Sequence, residues 1–428
     1  MTVRKKALII TYYWPPAGGP GVQRWLKFVK YLSLFNIDPI VYIPENPSYP
    51  LLDKSLIQDI PSYVKIIKQP IKEPYRFSNI FSKKKTKTIS KGIISDTKHQ
   101  SIFEKVLLYI RGNFFIPDAR IAWVNPSTKY LLEYIQKEPV DTIITTGPPH
   151  SLHLIGLQLK EQTGVKWLAD FRDPWTSIGY HKQLKLTHTS KLRHKALEKK
   201  VLNYADQLIV TSHMTKKEFG DLTDVPITVI TNGYDVDTLG SKEVLDKKFT
   251  MSHIGSLLSK RNPTVLWQVL SDLVIEHPDF SEDLQLNFIG LVSEDVTNTI
   301  KKYSLTKYFN SIGYVNHNEA IKFQKKSQIL LLIEIDSEDT RCIIPGKLFE
   351  YMVSNRPIIA IGPKQSDVET IIKETNTGSY FCYDDYNSLK TTILNHYNDF
   401  KTGTLKSNPI GLKKYSRKSL TELLSKLI

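Results

Sequence analysis

Short apolar runs, separated by longer stretches with helical spacing, recur along the whole of this 428-residue chain. Continuous apolar strands that alternate with helices are typical of a parallel sheet, because helices cover both faces of such a sheet. The runs are KKALII, IDPIVYI, VKIIKQ, DTIITTG, VKWLADF, QLIVTS and PITVITNG in the first half, and FTMSHIG, LQLNFIG, ILLLIEI, PIIAIG and GSYFCY in the second. We therefore predict an α/β protein with doubly wound, Rossmann-like parallel sheets.

The length of the chain predicts two domains, because 428 residues exceed what a single hydrophobic core usually supports. The boundary is expected within residues 231–248, where a strand ends in an Asn-Gly turn and a polar connection follows. Leucines at helical spacing in residues 413–428 predict a final helix.

Cysteine content and hydropathy predict a cytoplasmic protein. Cys342 and Cys382 are the only cysteines, which argues for a reducing compartment. The apolar run near the start is short and leads into Trp-Pro-Pro, so we predict a first strand rather than a signal peptide. No run approaches the roughly 18 apolar residues that a membrane-spanning helix needs. The chain is therefore expected to be soluble or peripheral on the inner face of the cell membrane.

The net charge of +15 points to an anionic partner: nucleic acid, a membrane surface or a phosphorylated substrate. Lysine and arginine concentrate in residues 81–92 and 181–200, although such runs are commonly just solvated faces. We find no nucleic-acid-binding motif, so nucleic acid is not the expected partner. Within residues 101–115 the side chains Ile102, Val106, Tyr109 and Ile110 share one helical face. The segment 81–115 therefore predicts contact with an anionic membrane surface.

Glycines follow the first predicted strand, in the stretch PPAGGPG. Ligands of open parallel sheets bind beyond the carboxyl ends of strands, where loops meet helix N-termini. Gly18, Gly19 and Gly21 would let backbone N–H groups approach a phosphate there. The spacing is not G-x-G-x-x-G, so it does not indicate a dinucleotide site. An ordinary strand-to-helix turn is the alternative.

Two histidines and a charged trio follow two other strands of the first half. His150 lies in the loop after DTIITT, and His153 lies one helical turn further on; each is either catalytic or a structural hydrogen-bonding group. Asp170, Arg172 and Asp173 follow the strand KWLADF. These carboxylates are candidates for binding sugar hydroxyls, although Asp173 before a proline also suits a helix N-cap.

Cations and a glutamate follow strands of the second half. Ser256, Lys260 and Arg261 lie in a strand-to-helix loop, where cations would neutralise a departing diphosphate. Lys347 begins a predicted helix and Glu350 lies in its first turn. We interpret Lys347 as a phosphate ligand and Glu350 as an acceptor of ribose hydroxyls, with an ordinary first-turn ion pair as the alternative.

In order along nearly the whole chain, several stretches together resemble GT-B glycosyltransferases of the group 1, family 4 type: TYYWPPAGG, FRDPW, VTSHMTKKEF, VITNGYD, HIGSLLSKRNP and PGKLFEYMVSNRPIIA. The resemblance implies two Rossmann-like domains facing a cleft: an acceptor-binding domain (1–235), a donor-binding domain (236–410) and a final helix (411–428) that packs back on the first domain. It further implies a UDP- or GDP-linked sugar donor, transfer with retention at the anomeric carbon, and no metal ion or other cofactor.

The resemblance assigns roles residue by residue. Glu350 matches the second glutamate of the family's paired-glutamate motif, which binds the ribose, whereas Cys342 stands where the first glutamate is common. Ser256 replaces an arginine that is common after the glycine, and His150 lies a few positions past the usual catalytic-site histidine. The resulting assignments are donor-binding Gly18, Gly19, Ser256, Arg261, Tyr314, Val315, Lys347, Leu348 and Glu350; catalytic His150, His153, Asp173, Arg261 and Lys347; and acceptor-binding Asp170, Arg172 and Asp173.

These patterns predict a retaining glycosyltransferase that builds a cell-surface polysaccharide or glycolipid on a glycan or lipid-linked acceptor. A nucleotide-sugar epimerase with the same fold and a non-catalytic basic binding protein remain alternatives. Asp235 and Asp237 form the D-x-D pattern with which GT-A transferases hold a metal ion, but their place at the domain boundary favours a linker.

Overall fold

The computed structural model describes residues 4–73, 102–182, 184–235 and 243–428. It contains two compact units, one formed by Met1–Asn232 with Arg417–Ile428 and the other by Gly233–Ser416. The first is called the N-unit below and the second the C-unit. Each is built on a parallel sheet, so the predicted α/β fold class is confirmed.

The N-unit contains a parallel sheet in the order β3-β2-β1-β4-β5-β6-β7. The order reverses between β1 and β4, which pair directly, and this reversal opens a crevice at the carboxyl ends of the strands. The strands are β1 (Lys5–Ile10), β2 (Ile37–Pro44), β3 (Lys65–Gln69), β4 (Thr142–Gly147), β5 (Lys166–Phe171), β6 (Gln207–Val210) and β7 (Ile227–Val229).

Helices cover both faces of the N-unit sheet, which produces two apolar clusters. They are α1 (Pro20–Leu32), α2 (Ile102–Phe114), α3 (Val124–Lys137), α4 (Ser151–Thr163), α5 (Gly179–Lys182), α6 (His188–Tyr204), α7 (His213–Gly220) and α15 (Arg417–Ser425). Leu420 and Leu424 of α15 lie in the same apolar cluster as Trp25 and Val29 of α1. The last helix of the chain is therefore part of the N-unit core.

The C-unit repeats the design with a parallel sheet in the order β10-β9-β8-β11-β12-β13. Its strands are β8 (Phe249–Ile254), β9 (Leu284–Ile289), β10 (Phe309–Gly313), β11 (Ile329–Ile333), β12 (Ile358–Ile361) and β13 (Gly378–Phe381). Its helices are α8 (Thr264–Glu276), α9 (Pro278–Asp283), α10 (Glu294–Lys302), α11 (His317–Lys326), α12 (Lys347–Met352), α13 (Asp367–Thr375) and α14 (Tyr386–Lys401). Strands β8 and β11 pair at the reversal of the order.

Strand β10 is missing from the sequence prediction. Its residues FNSIG form an edge strand, and Asn310 and Ser311 are exposed, so no continuous apolar run marks it. Asp237 of the D-x-D pattern and the basic residues 81–92 lie outside the described residues. Within the described part of the chain, no helix has both the length and the apolar character needed to cross a membrane.

Candidate functional site

Two glycine turns shape the carboxyl edge of the C-unit sheet. Gly255 follows β8 with φ +115°, and Gly290 follows β9 with φ +133°, a region that favours glycine. A Cβ on Gly290 would lie 2.6 Å from the carbonyl oxygen of Gly255. The two turns therefore pack backbone against backbone. A Cβ on Gly255 would lie 3.4 Å from Nζ of Lys347, so the lysine reaches this turn.

Lys347, the first residue of α12, is held in place by the end of β8. Its Nζ lies 2.9 Å from the carbonyl oxygen of Ile254 and 3.2 Å from Nε2 of His253. Nδ1 of His253 lies 3.1 Å from the carbonyl oxygen of Leu331, which can only accept, so Nδ1 carries the proton and Nε2 accepts from the lysine. Burial, and then the charge of Arg261, lower the pKa of Lys347 to about 7.

Glu334 lies directly after β11 and was missed by the sequence analysis. It is 5% exposed, and its Oε2 accepts from Oγ of Ser366 at 3.3 Å and from the Tyr380 hydroxyl at 3.1 Å. Burial raises its pKa to about 8, against the lowering effects of these hydrogen bonds and of Arg261. A Cβ on Gly362, after β12, would lie 2.6 Å from Oε2, so the pocket requires glycine there. In the sequence, the signal that could have identified Glu334 is its position directly after the apolar run ILLLI.

Glu350 lies one turn into α12, and α11 orients it. Oε2 accepts from Nε2 of Gln324 at 2.9 Å, and Nε2 of His317 lies 3.8 Å from Oε1. The side chain is 17% exposed, so the carboxylate is accessible but anchored. Cys342 is half-buried, and Glu334 is the acidic group that the structure places near Arg261 and Lys347.

The other predicted donor-binding residues of the C-unit differ in exposure. Ser256 is exposed in the turn after β8, and Tyr314 is 83% exposed after the edge strand β10. Val315 packs against the apolar cluster that includes Leu348 and Phe349 of α12. The assignment of Leu348 to the donor site is wrong for its side chain, which is fully buried in that cluster because it faces the sheet.

In the N-unit, Arg172 joins the loops that follow β4 and β5. Its backbone N–H donates to the carbonyl oxygen of Gly147 at 2.9 Å, and its guanidinium donates to the carbonyl oxygen of Pro148. A Cβ on Gly21 would collide with the guanidinium of Arg172, so in this conformation the arginine lies against the first turn of α1. The neighbouring Asp173 is partly buried, and desolvation raises its pKa despite the charge of Arg172.

The first glycine loop only partly fits a phosphate site. Gly19 precedes α1 with φ +109° and faces open space. The backbone N–H of Gly18 donates to the carbonyl oxygen of Leu51 at 3.0 Å, and the prediction that Gly18 binds phosphate is therefore wrong for its amide. This contact joins segments far apart in the chain, which the local pattern does not reveal.

His150 and His153 are buried side by side beneath Gly147. A Cβ on Gly147 would lie 2.5 Å from Nε2 of His153 and 3.0 Å from Nδ1 of His150. His150 stacks on Trp175 with ring centroids 5.0 Å apart and an interplanar angle of 3°. Burial lowers the pKa of His153 to about 3 and lowers that of His150 well below its ordinary value. Both rings are therefore neutral at physiological pH.

The structure contradicts the assignment of Asp170 to acceptor binding. Asp170 is fully buried, and its Oδ1 pairs with Nη2 of Arg24 at 3.0 Å. Its Oδ2 accepts from the Trp25 indole and from the Thr146 hydroxyl, each at 2.8 Å. Asp170 occupies the penultimate position of β5, inside the sheet, and there it neutralises a buried arginine.

Comparisons with solved structures establish the fold of the chain. A sucrose-phosphate synthase from Thermosynechococcus elongatus is 12% identical, with a TM-score of 0.61 and coverage of 99% of this chain and 98% of that one. The apo form of the lipopolysaccharide outer core galactosyltransferase WaaB is 14% identical, with a TM-score of 0.57 and coverage of 99% and 98%. These similarities show the GT-B fold predicted from the sequence.

The sequence of residues 93–238 matches the family described as Glycosyltransferase Family 4. The family match covers residues 93–238 only, and together with the GT-B fold of the whole chain it supports a glycosyltransferase. Curated protein sequences gave no match. The fold of this glycosyltransferase is also found in a Listeria monocytogenes protein named for UDP-N-acetylglucosamine 2-epimerase activity, at 11% identity, a TM-score of 0.51 and coverage of 98% and 95%. The family match, rather than the fold, favours transfer over epimerisation.

Replacing Asp170 tests its structural role in the glycosyltransferase. We expect Asp170→Ala to lower the free energy of unfolding by about 3–5 kcal/mol, because it leaves the buried Arg24 without a counter-ion. Chemical denaturation measures this change. Asp173→Ala, in the loop after β5, is the control. An Asp170→Ala variant with unchanged stability and a raised KM for the acceptor would restore the acceptor-binding role.

Proposed function

We propose that this glycosyltransferase transfers a sugar from a nucleotide-diphospho-sugar to a hydroxyl group of a glycan or lipid-linked acceptor, with retention at the anomeric carbon. The donor site in this proposal is the carboxyl edge of the C-unit sheet. The observation that carries it is the pairing of two cations, Arg261 and Lys347, at a glycine turn close to a buried acid. Glu350 lies one turn further along α12.

Repulsion between these cations favours an anionic ligand. The charge of Arg261 lowers the pKa of Lys347, and burial lowers the pKa of both groups. Glu334 does not cancel this charge near neutral pH, because burial raises its pKa to about 8. A diphosphate would remove the repulsion and restore the charge of Lys347. We therefore place the donor diphosphate between the lysine and the arginine.

The same cations would also stabilise the transition state of the transfer reaction. Departure of the diphosphate from an oxocarbenium-like carbon places developing negative charge on the leaving group, and preorganised donors stabilise that charge most. Each such donor contributes on the order of 3 kcal/mol, about a hundredfold in rate. We propose that no metal ion is needed at this step, and that the ribose hydroxyls donate to Glu350, which Gln324 orients.

The N-unit is proposed to bind the acceptor. Arg172 and Asp173 lie at the carboxyl end of β5, partly exposed, and His150 lies beside them in the loop after β4. A cation, a carboxylate and an imidazole together suit the hydroxyl groups of a sugar.

Ligand binding and turnover test the proposed donor site. We expect one or more members of a panel of UDP- and GDP-sugars to raise the melting temperature and to be hydrolysed slowly without an acceptor. Lys347→Met is expected to lower kcat about a hundredfold, whereas Lys364→Met, on the exposed surface of the same unit, is expected to leave it unchanged. EDTA is expected to have no effect.

The absence of any donor-dependent shift or hydrolysis across the panel would contradict the proposal. NMR of the donor in heavy water separates the alternative, because an epimerase exchanges a ring hydrogen without an acceptor.

We further propose that helix α2 lies against an anionic membrane surface. One face of α2 exposes Ile102 (82%), Val106 (48%) and Phe114 (72%), with Tyr109 and Ile110 between them. The opposite face packs on the N-unit, since Leu108 is buried and Gly112 fits closely against Leu184 and Leu186. Lys105 and Lys185 are exposed nearby, and the chain carries a net charge of +15. An apolar stripe with cationic neighbours is typical of interfacial helices.

Vesicle binding tests this surface. The enzyme is expected to sediment with phosphatidylglycerol vesicles and not with phosphatidylcholine vesicles. Ile102→Asp and Phe114→Asp are expected to abolish sedimentation, since each places a charge in the apolar stripe. Leu34→Asp, at an exposed leucine of the same unit, is the control. If wild-type enzyme sediments with neither vesicle, or if the two variants sediment fully, α2 has a different partner.

A further inference from the structure

Three buried side chains of the N-unit form a hydrogen-bonded chain that ends at His153. Nε1 of Trp167 lies 2.9 Å from Oγ1 of Thr145, and this oxygen lies 2.8 Å from Nδ1 of His153. All three residues are fully buried. The chain crosses from β5 through β4 to α4, so it links the first turn of that helix to the sheet.

The chemistry of the three groups fixes the direction of the hydrogen bonds. An indole N–H can only donate, so the Thr145 oxygen accepts from Trp167. If Nδ1 of His153 also donated to this oxygen, the threonine proton would be buried with no acceptor among the described residues, which costs about 1–3 kcal/mol. The hydroxyl therefore donates to Nδ1. A neutral His153 then carries its proton on Nε2, which has no partner among the described residues in either tautomer, so the threonine proton decides between the two.

We propose that Trp167 and Thr145 are positioning residues that hold His153 in its Nε2–H tautomer. Nδ1 is then occupied by the Thr145 hydroxyl, and Nε2–H has no acceptor among the described residues, so His153 does not serve as a base. Of the two histidines assigned to catalysis, His153 is thereby excluded as a general base. This last step rests on the proposed function, whereas the tautomer does not.

The surroundings of the chain leave it little freedom. A Cβ on Gly156 of α4 would lie 2.3 Å from Nε1 of Trp167 and 2.7 Å from Cγ2 of Thr145, so the helix can approach only with glycine there. The ring of Phe171 stacks on His153 with centroids 4.3 Å apart. The helix therefore packs closely on Trp167 and Thr145, and Phe171 covers one face of the imidazole.

The proton on Nε2 of His153 also influences which nitrogen of the neighbouring His150 is protonated. Nε2 of His153 and Nδ1 of His150 lie 2.5 Å and 3.0 Å from the position that a Cβ on Gly147 would take, and the two ring centroids are 5.8 Å apart. Protons on both of these neighbouring nitrogens would repel each other, so the proton on Nε2 of His153 favours an unprotonated Nδ1 on His150. His150, which is 4% exposed, then carries its own proton on Nε2.

Nitrogen NMR of histidine-labelled enzyme tests the tautomer without any substrate. Signals are assigned with His153→Gln and His150→Gln variants. Between pH 6 and 8, His153 is expected to show a protonated Nε2 and an unprotonated Nδ1. Thr145→Val is expected to lose this pattern and Thr145→Ser to keep it. A protonated Nδ1 in the wild-type enzyme, or an unchanged pattern in Thr145→Val, would overturn the proposal.

A second variant and kinetics complete the test. If Thr145→Val does not fold, Trp167→Phe removes the first donor, and the wild-type spectrum still decides the tautomer. In glycosyl transfer, Thr145→Val is expected to lower kcat at least tenfold with the donor KM unchanged, and Thr145→Ser to restore it. Loss of all donor binding in wild-type enzyme, with the expected spectrum intact, would refute the proposed function and leave the tautomer standing.

Discussion

The common direction of the strands within each sheet is the constraint on which the functional groups depend. Parallel strands deliver all their carboxyl ends to one edge, so loops distant in the chain become neighbours. In the C-unit this edge collects Gly255, Gly290, Glu334 and Gly362 from the ends of β8, β9, β11 and β12. In the N-unit it collects the turns after β1, β4 and β5. A Cβ on Gly290 would collide with the Gly255 backbone, and one on Gly362 with the Glu334 and Tyr380 side chains, whereas Gly255 is favoured by its positive φ.

Desolvation shifts the pKa values of the ionisable groups at the C-unit edge. Burial makes the charged forms of Lys347 and Glu334 costly, and their pKa values move to about 7 and about 8. Such shifts of opposite charge types toward neutrality cluster at functional sites. His253 and Ile254 fix the lysine before any ligand arrives, so little reorganisation is needed when an anion binds.

The fold was predictable because its signal is local, whereas parts of the site depend on distant contacts. Apolar runs between helices identified both sheets, and only β10, half polar at a sheet edge, was missed. Lys347 and Glu350 were identifiable from a proline and a glycine before a helix. Asp170 was misassigned because the sequence shows that it ends a strand but not that Arg24 lies beneath it.

The other errors have the same origin. The Gly18 amide is occupied by Leu51, a partner some thirty residues away that no local pattern indicates. Glu334 carried a signal, its place at a strand end, but its burial between β11 and β13 emerges only from the packed sheet. Side-chain direction and non-local hydrogen bonds are therefore what the sequence could not provide.

Calorimetry of nucleotide-sugar binding in buffers of different ionisation enthalpy tests the central claim, that the partly buried Lys347 contacts the donor diphosphate. The depressed pKa of Lys347, about 7, leaves much of this side chain neutral above that pH. When an anion binds to the charged form, the complex therefore takes up a proton from the buffer. The deprotonation of Glu334 above about pH 8 adds negative charge beside the anion and acts in the same direction. With UDP-glucose or GDP-mannose, whichever binds, we predict proton uptake at pH 7.5 and an affinity that falls as the pH rises from 6 to 9. The proton uptake is expected to be smaller in Lys347→Met. Affinity independent of pH with no proton exchange, or uptake unchanged in that variant, would contradict the account.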